Sequence, residues 1–258
     1  MTPLAGKRIL VTRPRAQAAD LCAKLAALGA EPIVFPTIDI APLEDTSLLD
    51  RAIDQLGQYH WIIFTSVNGV AAFWERLTAA GKDVPALNGI HVAAIGPATA
   101  KALADRGQQP RFIPDEYVAE AIVEGIGEVG GQRILLPRAD IAREMLALEL
   151  AQHGAVVDEI TAYRTLPAAP DPHGLAELRR GVDVITFTSS STVRNFIALV
   201  GRDAISPHTV NACIGPITAR TARKLGLSLD VVANEYTMSG LVAALVGYFL
   251  RLEIVSKA

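Results

Sequence analysis

The chain is written twice, and no other feature limits its fold so strongly. Phe64-Thr65-Ser66-Val67-Asn68-Gly69 returns as Phe187-Thr188-Ser189-Ser190-Ser191-Thr192, and Ile95-Gly96-Pro97 returns as Ile214-Gly215-Pro216. Arg138 follows Arg13 by 125 residues, Phe187 follows Phe64 by 123, and Gly215 and Tyr236 follow Gly96 and Tyr117 by 119. Offsets this constant mark an internal duplication. Both halves must therefore form the same succession of elements.

That succession alternates strands with helices. Arg8–Thr12 is a β-rich run. Leu21, Leu25 and Leu28 then line one helix face, and Gly29 is placed to end that helix. Pro32–Phe35 is the next strand. Helix Asp45–Leu56, with Leu48, Leu49, Ala52, Ile53 and Leu56 inward, precedes strand Trp61–Phe64 and helix Asn68–Thr78. Strand Ile90–Ala94 leads into helix Ala98–Asp105, and strand-like 111–113 into helix Val118–Val129. The second half repeats the order from Gln132. Alternation of this kind calls for parallel sheets covered on both faces. The expected fold class is α/β: two doubly wound, flavodoxin-like domains of four or five strands each. Two extended, proline-bounded stretches, 36–42 and 161–172, are candidate crossovers between them.

The 258 residues suit two domains of roughly 100–150 residues. Half are hydrophobic but only 5% aromatic, so the core is aliphatic. Net charge is −3, with 24 basic and 27 acidic residues intermixed, which argues against a general nucleic-acid or membrane-surface role. Cys22 and Cys213 have no metal-ligand spacing and read as core filler in a reducing compartment. The start of the chain has no signal-peptide pattern, and no apolar run approaches the ~20 residues of a membrane helix. A cytoplasmic, monomeric protein is expected.

In open α/β sheets ligands bind at the carboxyl ends of the strands. The polar turns collect there: Thr12-Arg13, Ser66-Val67-Asn68, Gly96-Pro97-Ala98-Thr99, Pro137-Arg138, Ser189-Ser190-Ser191 and Gly215-Pro216-Ile217-Thr218. Backbone N–H groups, hydroxyls and two arginines would line a cleft between the domains, a lining suited to a polycarboxylate. The plainer account is that each turn caps its helix, since Ser, Thr and Asn are the preferred caps. His60, His91, His153, His173 and His208 are dispersed and make no metal pair. Gly125-Ile126-Gly127 and Gly130-Gly131 lack dinucleotide-binding spacing. Ser66 and Ser189 have no evident base for a hydrolytic triad. Asp39, Glu116 and Asp140 are loop carboxylates near the expected cleft. Tyr163 stands apart. It ends a strand at the second crossover, and its counterpart by the 125 offset is Ile38. Either its phenol enters the cleft or its ring packs the crossover strand.

Together the motifs resemble the uroporphyrinogen-III synthase family. The resemblance rests on Val11-Thr12-Arg13-Pro14, Phe64–Gly69, Ile95–Ala100, Tyr163-Arg164-Thr165, Phe187-Thr188-Ser189 and Ile214–Ala219, and it spans nearly the whole chain. It implies a discontinuous domain of residues 1–36 and 168–258, with 37–167 as the other domain and a two-stranded ladder joining them. It implies cyclisation of the linear tetrapyrrole hydroxymethylbilane to uroporphyrinogen III, with inversion of the last pyrrole ring and loss of water, and no cofactor or metal. Tyr163 matches the family tyrosine proposed to help the hydroxyl leave, and Thr99 and Thr218 match family threonines at the cleft. Thr12, Arg13, Ser66, Val67, Asn68, Gly96, Arg138, Ser189 and Ser190 are expected to bind substrate alongside these threonines. A sugar-phosphate isomerase-like enzyme would need a Glu or His base at the same turns. A non-enzymatic bilobal anion sensor would share the fold without turnover.

Overall fold

The computed structural model describes residues 2–142 and 144–257; Met1, Arg143 and Ala258 lie outside the described residues. In chain order the elements are β1 (Arg8–Val11), α1 (Arg15–Ala26), β2 (Glu31–Val34), β3 (Ile38–Ala41), α2 (Ser47–Asp54), β4 (Trp61–Phe64), α3 (Val67–Ala79), β5 (His91–Ala94), α4 (Pro97–Ala104) and α5 (Ala119–Gly125). There follow β6 (Arg133–Ala139), α6 (Met145–Gln152), β7 (Val156–Pro167), α7 (Pro172–Arg180), β8 (Val184–Phe187), α8 (Ser190–Val200), β9 (Val210–Cys213), α9 (Pro216–Lys224), β10 (Val231–Val232) and α10 (Met238–Lys257).

The chain divides into two compact units, Met1–Asp39 with Leu166–Ala258, and Ile40–Thr165. The first carries a five-stranded sheet in the order β10-β9-β8-β1-β2, and the sheet of the second runs β3-β7-β6-β4-β5. The pairings β1–β2, β1–β8, β8–β9, β9–β10, β4–β5, β4–β6 and β6–β7 are all parallel. The chain passes from one unit to the other within β3 and again within β7.

Each sheet is covered on both faces, as parallel strands require. In the first unit Ile9, Val11, Leu21 and Leu245 pack on one face, and Leu10, Phe35, Phe187 and Phe196 on the other. In the second, Ile62, Phe64, Phe73 and Leu135 pack on one face, and Trp61, Ile63, Leu136 and Leu146 on the other. The central strands β4 (Trp-Ile-Ile-Phe) and β8 (Val-Ile-Thr-Phe) are buried throughout, because both faces need apolar side chains there. The edge strand β2 carries Pro32, where a missing N–H costs the ladder little.

Four elements differ from the sequence expectation. The strand expected at 111–113 is reduced to an isolated bridge, Ala93↔Phe112. β7 is one twelve-residue strand where a five-residue strand and an extended crossover were expected. Its far half contains no residue that breaks a ladder before Pro167. α2 is two turns long, with Leu49, Ala52 and Ile53 buried at i, i+3 and i+4, which leaves Leu48 60% exposed on the opposite side. α5 stops at Gly125, short of Val129, and Gly127 beyond it takes φ +83°.

Candidate active site

In the second unit the site begins with an irregularity in a strand. β6 and β7 pair in step from Arg133↔Val156 to Arg138↔Thr161, and then Ala139 pairs with Tyr163, leaving Ala162 as an extra residue. Strict alternation would send Ala162 and Tyr163 to opposite faces. With the bulge both join the cluster on the α3 side, with Phe64, Val70 and Phe73. Bulges re-aim side chains in this way beside functional sites. Tyr163 is 7% exposed, and its Oη lies 2.9 Å from Ser66 Oγ. Asn68 is also hydrogen-bonded to the phenol. Burial pushes the phenol pKa above its ordinary value; the hydrogen bonds to Ser66 and Asn68 oppose this, Asp140 adds to it, and Arg138 opposes it. Tyr163 is therefore a neutral phenol held by polar groups at the carboxyl end of the sheet.

Ser66 is held for this task by the helix it starts. It is the N-cap of α3 and accepts the Gly69 N–H at 2.9 Å. Gly69 is needed for space: a Cβ there would lie 2.9 Å from the Pro137 carbonyl. Val67 opens α3 with its side chain partly in solvent. Asp140 fastens the end of β7, accepting the Thr165 N–H at 2.9 Å while its own N–H donates to the Tyr163 carbonyl at 3.1 Å.

Arg138 lies near these groups but on the other face. Leu136, two residues earlier, belongs to the opposite cluster, and Arg138 keeps that alternation because it precedes the bulge. Its side chain is buried, with Nη1 2.5 Å from Glu159 Oε1 and with Nε lacking any partner among the described residues.

The first unit repeats the arrangement without the tyrosine. Ser189 caps α8, accepting the Thr192 N–H at 3.2 Å in a reciprocal capping box. Its Oγ also meets Ser191 Oγ at 2.9 Å, and Ser190 accepts from Thr221 at 2.8 Å. The Thr12 hydroxyl is spent internally: fully buried, it donates to the Thr186 carbonyl at 2.7 Å. Arg13 is held by the Gln17 carbonyl (3.1 Å), Gln17 Oε1 (3.0 Å) and Met238 Sδ (3.1 Å). Among the described residues no carboxylate forms an ion pair with it. Burial lowers its pKa from the ordinary arginine value, against the more distant charge of Asp20. A half-buried arginine without a carboxylate is a natural seat for an anionic group.

Gly96 and Gly215 cap α4 and α9 in matching ways, with Pro97 and Pro216 next and Thr99 and Thr218 buried shortly beyond. Both glycines have extended φ angles that any residue adopts. Their reason is room: a Cβ on Gly96 would come within 3.1 Å of the Tyr117 ring, and one on Gly215 within 3.0 Å of the Tyr236 ring. The repeat offset had paired these tyrosines with each other but not with the glycines.

Sequence reasoning also missed Glu159. Its signal was present: the residue 125 positions earlier is Val34, and a charge standing where the repeat has an apolar residue asks for a reason. A groove of about 510 Å³ in the first unit, lined by Arg15, Glu31, Asp171, His173, Glu177 and Arg180 among others, contains none of the expected site residues. Two of its carboxylates are already engaged: Asp171 accepts the Gly174 N–H at 3.0 Å, and Glu177 pairs with Arg8 and with Arg180. Among the described residues no cluster of His, Cys, Asp or Glu is placed to hold a metal ion.

Comparison with known proteins finds relatives along most of the chain. A family model described as uroporphyrinogen-III synthase HemD matches residues 19–243. The uroporphyrinogen-III synthase of Synechococcus elongatus is 38% identical over 256 residues, covering 94% of this chain and 96% of its own. That of Chlorobaculum parvum is 31% identical, covering 89% and 94%. Among solved structures, a mutant uroporphyrinogen III synthase from the extremely thermophilic bacterium Thermus thermophilus superimposes with a TM-score of 0.67 at 22% identity, over 95% of this chain and 100% of that one. The Helicobacter pylori enzyme gives 0.61 at 18% identity, over 96% and 99%. With a family model over most of the chain and full-length relatives in agreement, the chain belongs to the uroporphyrinogen-III synthase family.

Proposed function

We propose that the protein closes hydroxymethylbilane to uroporphyrinogen III, inverting the last pyrrole ring and releasing water. The observation that carries the mechanism is the buried Tyr163 phenol, held 2.9 Å from Ser66 at a sheet end rich in hydroxyls and backbone N–H groups.

The chemistry needs little from the protein beyond position and one proton. The terminal C–O bond breaks with its electron pair going to oxygen, and the Tyr163 phenol supplies the proton that turns hydroxide into water. The remaining azafulvene is an electrophile. Attack by the substituted carbon of the last ring gives a spiro intermediate, whose reopening and reclosure inverts that ring. The final closure expels a proton from a pyrrole carbon, which restores the phenol. Holding a flexible chain in one arrangement supplies most of the acceleration.

The substrate's acetate and propionate groups find their partners among the paired turns. Arg13 and Arg138 offer charge. The α3, α4, α8 and α9 N-termini, with Val67, Asn68, Gly96, Thr99, Ser189, Ser190 and Thr218, offer N–H groups and hydroxyls. Thr12 serves the site by fixing the β1 end, since its hydroxyl is already bonded.

The turns are paired because we take the two units as copies. β1, β2, β8 and β9 stand in their sheet as β6, β7, β4 and β5 stand in theirs, and β3 is added outside β7. We take the boundaries as 1–36 with 168–258 and 37–167, with β3 and β7 as the joining ladder. One chain supplies every residue named, so a monomer suffices, and the unpaired Cys22 and Cys213 suit a reducing cytoplasm. The test is whether purified protein speeds the loss of freshly prepared hydroxymethylbilane beyond its spontaneous closure; an unaltered rate contradicts the proposal.

A further inference from the structure

We infer that Glu159 holds Arg138 in a withdrawn position and surrenders it to a substrate carboxylate on binding; this rests on the function proposed above.

The register shows the withdrawal. Arg138 stands opposite Thr161, so Glu159 lies two residues back toward the start of β7, about 6.6 Å at ~3.3 Å per residue. The 2.5 Å contact between Arg138 Nη1 and Glu159 Oε1 therefore ties the guanidinium to a residue further from the carboxyl end, where Tyr163 and the α3 N-terminus lie.

The withdrawn state is half satisfied. Arg138 is 7% exposed, and its Nε is buried with no partner. An orphaned buried donor carries a real penalty, and the guanidinium fork is built to give two parallel bonds to one carboxylate. Glu159 itself is 31% exposed at its side chain, so it can swing into water once released, while Arg138 cannot. Exchanging one carboxylate for another also spares Arg138 an unpaired buried charge at any stage.

The other half supplies the contrast. Arg13 sits at the equivalent strand end, and Val34 stands where Glu159 would be. Arg13 is accordingly held by Gln17 and Met238 and, among the described residues, by no carboxylate. The two arginines thus differ in readiness, one open to an anion and the other occupied until an anion competes.

Steady-state kinetics of Glu159→Gln test this. The KM for hydroxymethylbilane should fall roughly threefold or more, with a smaller change in kcat. In an Arg138→Ala background the same change should give no gain, since the two residues act as one pair. A KM for Glu159→Gln that is unchanged or raised overturns the inference. A structure of the unaltered protein with uroporphyrinogen III bound tests it without any variant: the Arg138 guanidinium should contact a ligand carboxylate and have left Glu159, and an intact Arg138–Glu159 pair overturns it. Failure of the unaltered protein to accelerate ring closure would instead remove the proposed function, so the two failures are read from different measurements.

Discussion

Ser66 Oγ and Tyr163 Oη lie 2.9 Å apart although 97 positions separate them in the chain. The distance depends on two local features. The α3 N-cap fixes Ser66 by its bond to the Gly69 N–H. The extra residue Ala162 turns Tyr163 onto the α3 face. One serine thus starts a helix and orients a phenol.

Tyr163→Phe removes the proposed proton donor and keeps the ring in its cluster. The kcat for ring closure should fall roughly 10- to 100-fold, at or below the usual range for general-acid assistance. Affinity for uroporphyrinogen III should change little. Unchanged turnover would remove Tyr163 from the mechanism.

Ser66→Ala should cost about 1 kcal/mol of stability through the lost cap, and should also lower kcat by freeing the phenol. Ser189→Ala loses a cap in the other unit, where the serine Oγ meets Ser191 Oγ and Tyr163 is not involved. Its effect should appear in stability and KM, with kcat retained. Thermal melts and steady-state kinetics on both variants separate capping from positioning. Equal kcat losses would show that Ser66 does no more than cap α3.

The phenol sets a pH limit. Its pKa is raised above the ordinary 10.0 in the folded protein, so the neutral form is favoured there. The stabilisation linked to this shift is present below the unfolded value and is lost as pH rises through the higher folded value. Between neutral pH and 10.0 the kcat profile should show no alkaline limb from Tyr163. Above 10.0 the stability advantage over Tyr163→Phe should shrink. A kcat limb near neutral pH that vanishes in Tyr163→Phe would contradict the raised pKa.

Arg13→Ala should raise the KM for hydroxymethylbilane roughly tenfold, the scale of one charge-assisted contact. The penalty should diminish as salt screens the charges. A loss independent of ionic strength, with a lowered melting temperature, would assign Arg13 to folding.

Gly96→Ala and Gly215→Ala should each destabilise by about 1–3 kcal/mol, because a Cβ at 3.1 or 3.0 Å forces the Tyr117 or Tyr236 ring to move. Tyr117→Ala should relieve most of the cost of Gly96→Ala in a double-mutant melt. Additive losses would mean the ring is not what the glycine accommodates.

The alternation of strands and helices was legible because period, caps and glycine stops agree along most of the chain. The paired turns were legible because the sequence writes similar motifs twice. What lay hidden arises between strands. The bulge at Ala162 is a matter of register, and Ala-Tyr-Arg-Thr carries no turn residue to announce it. Because of it Arg138 and Tyr163, close in the sheet, serve opposite faces. Glu159 was passed over for a similar reason: its partner is set by where the Arg138 side chain lies along the sheet. Leu48 was misassigned inward because a two-turn helix has room for only one apolar stripe.

The most direct measurement is the isomer formed when purified protein meets freshly made hydroxymethylbilane. After oxidation of the product, the type III porphyrin should predominate in proportion to enzyme added. The type I isomer alone, which arises by spontaneous closure without ring inversion, would contradict the assignment.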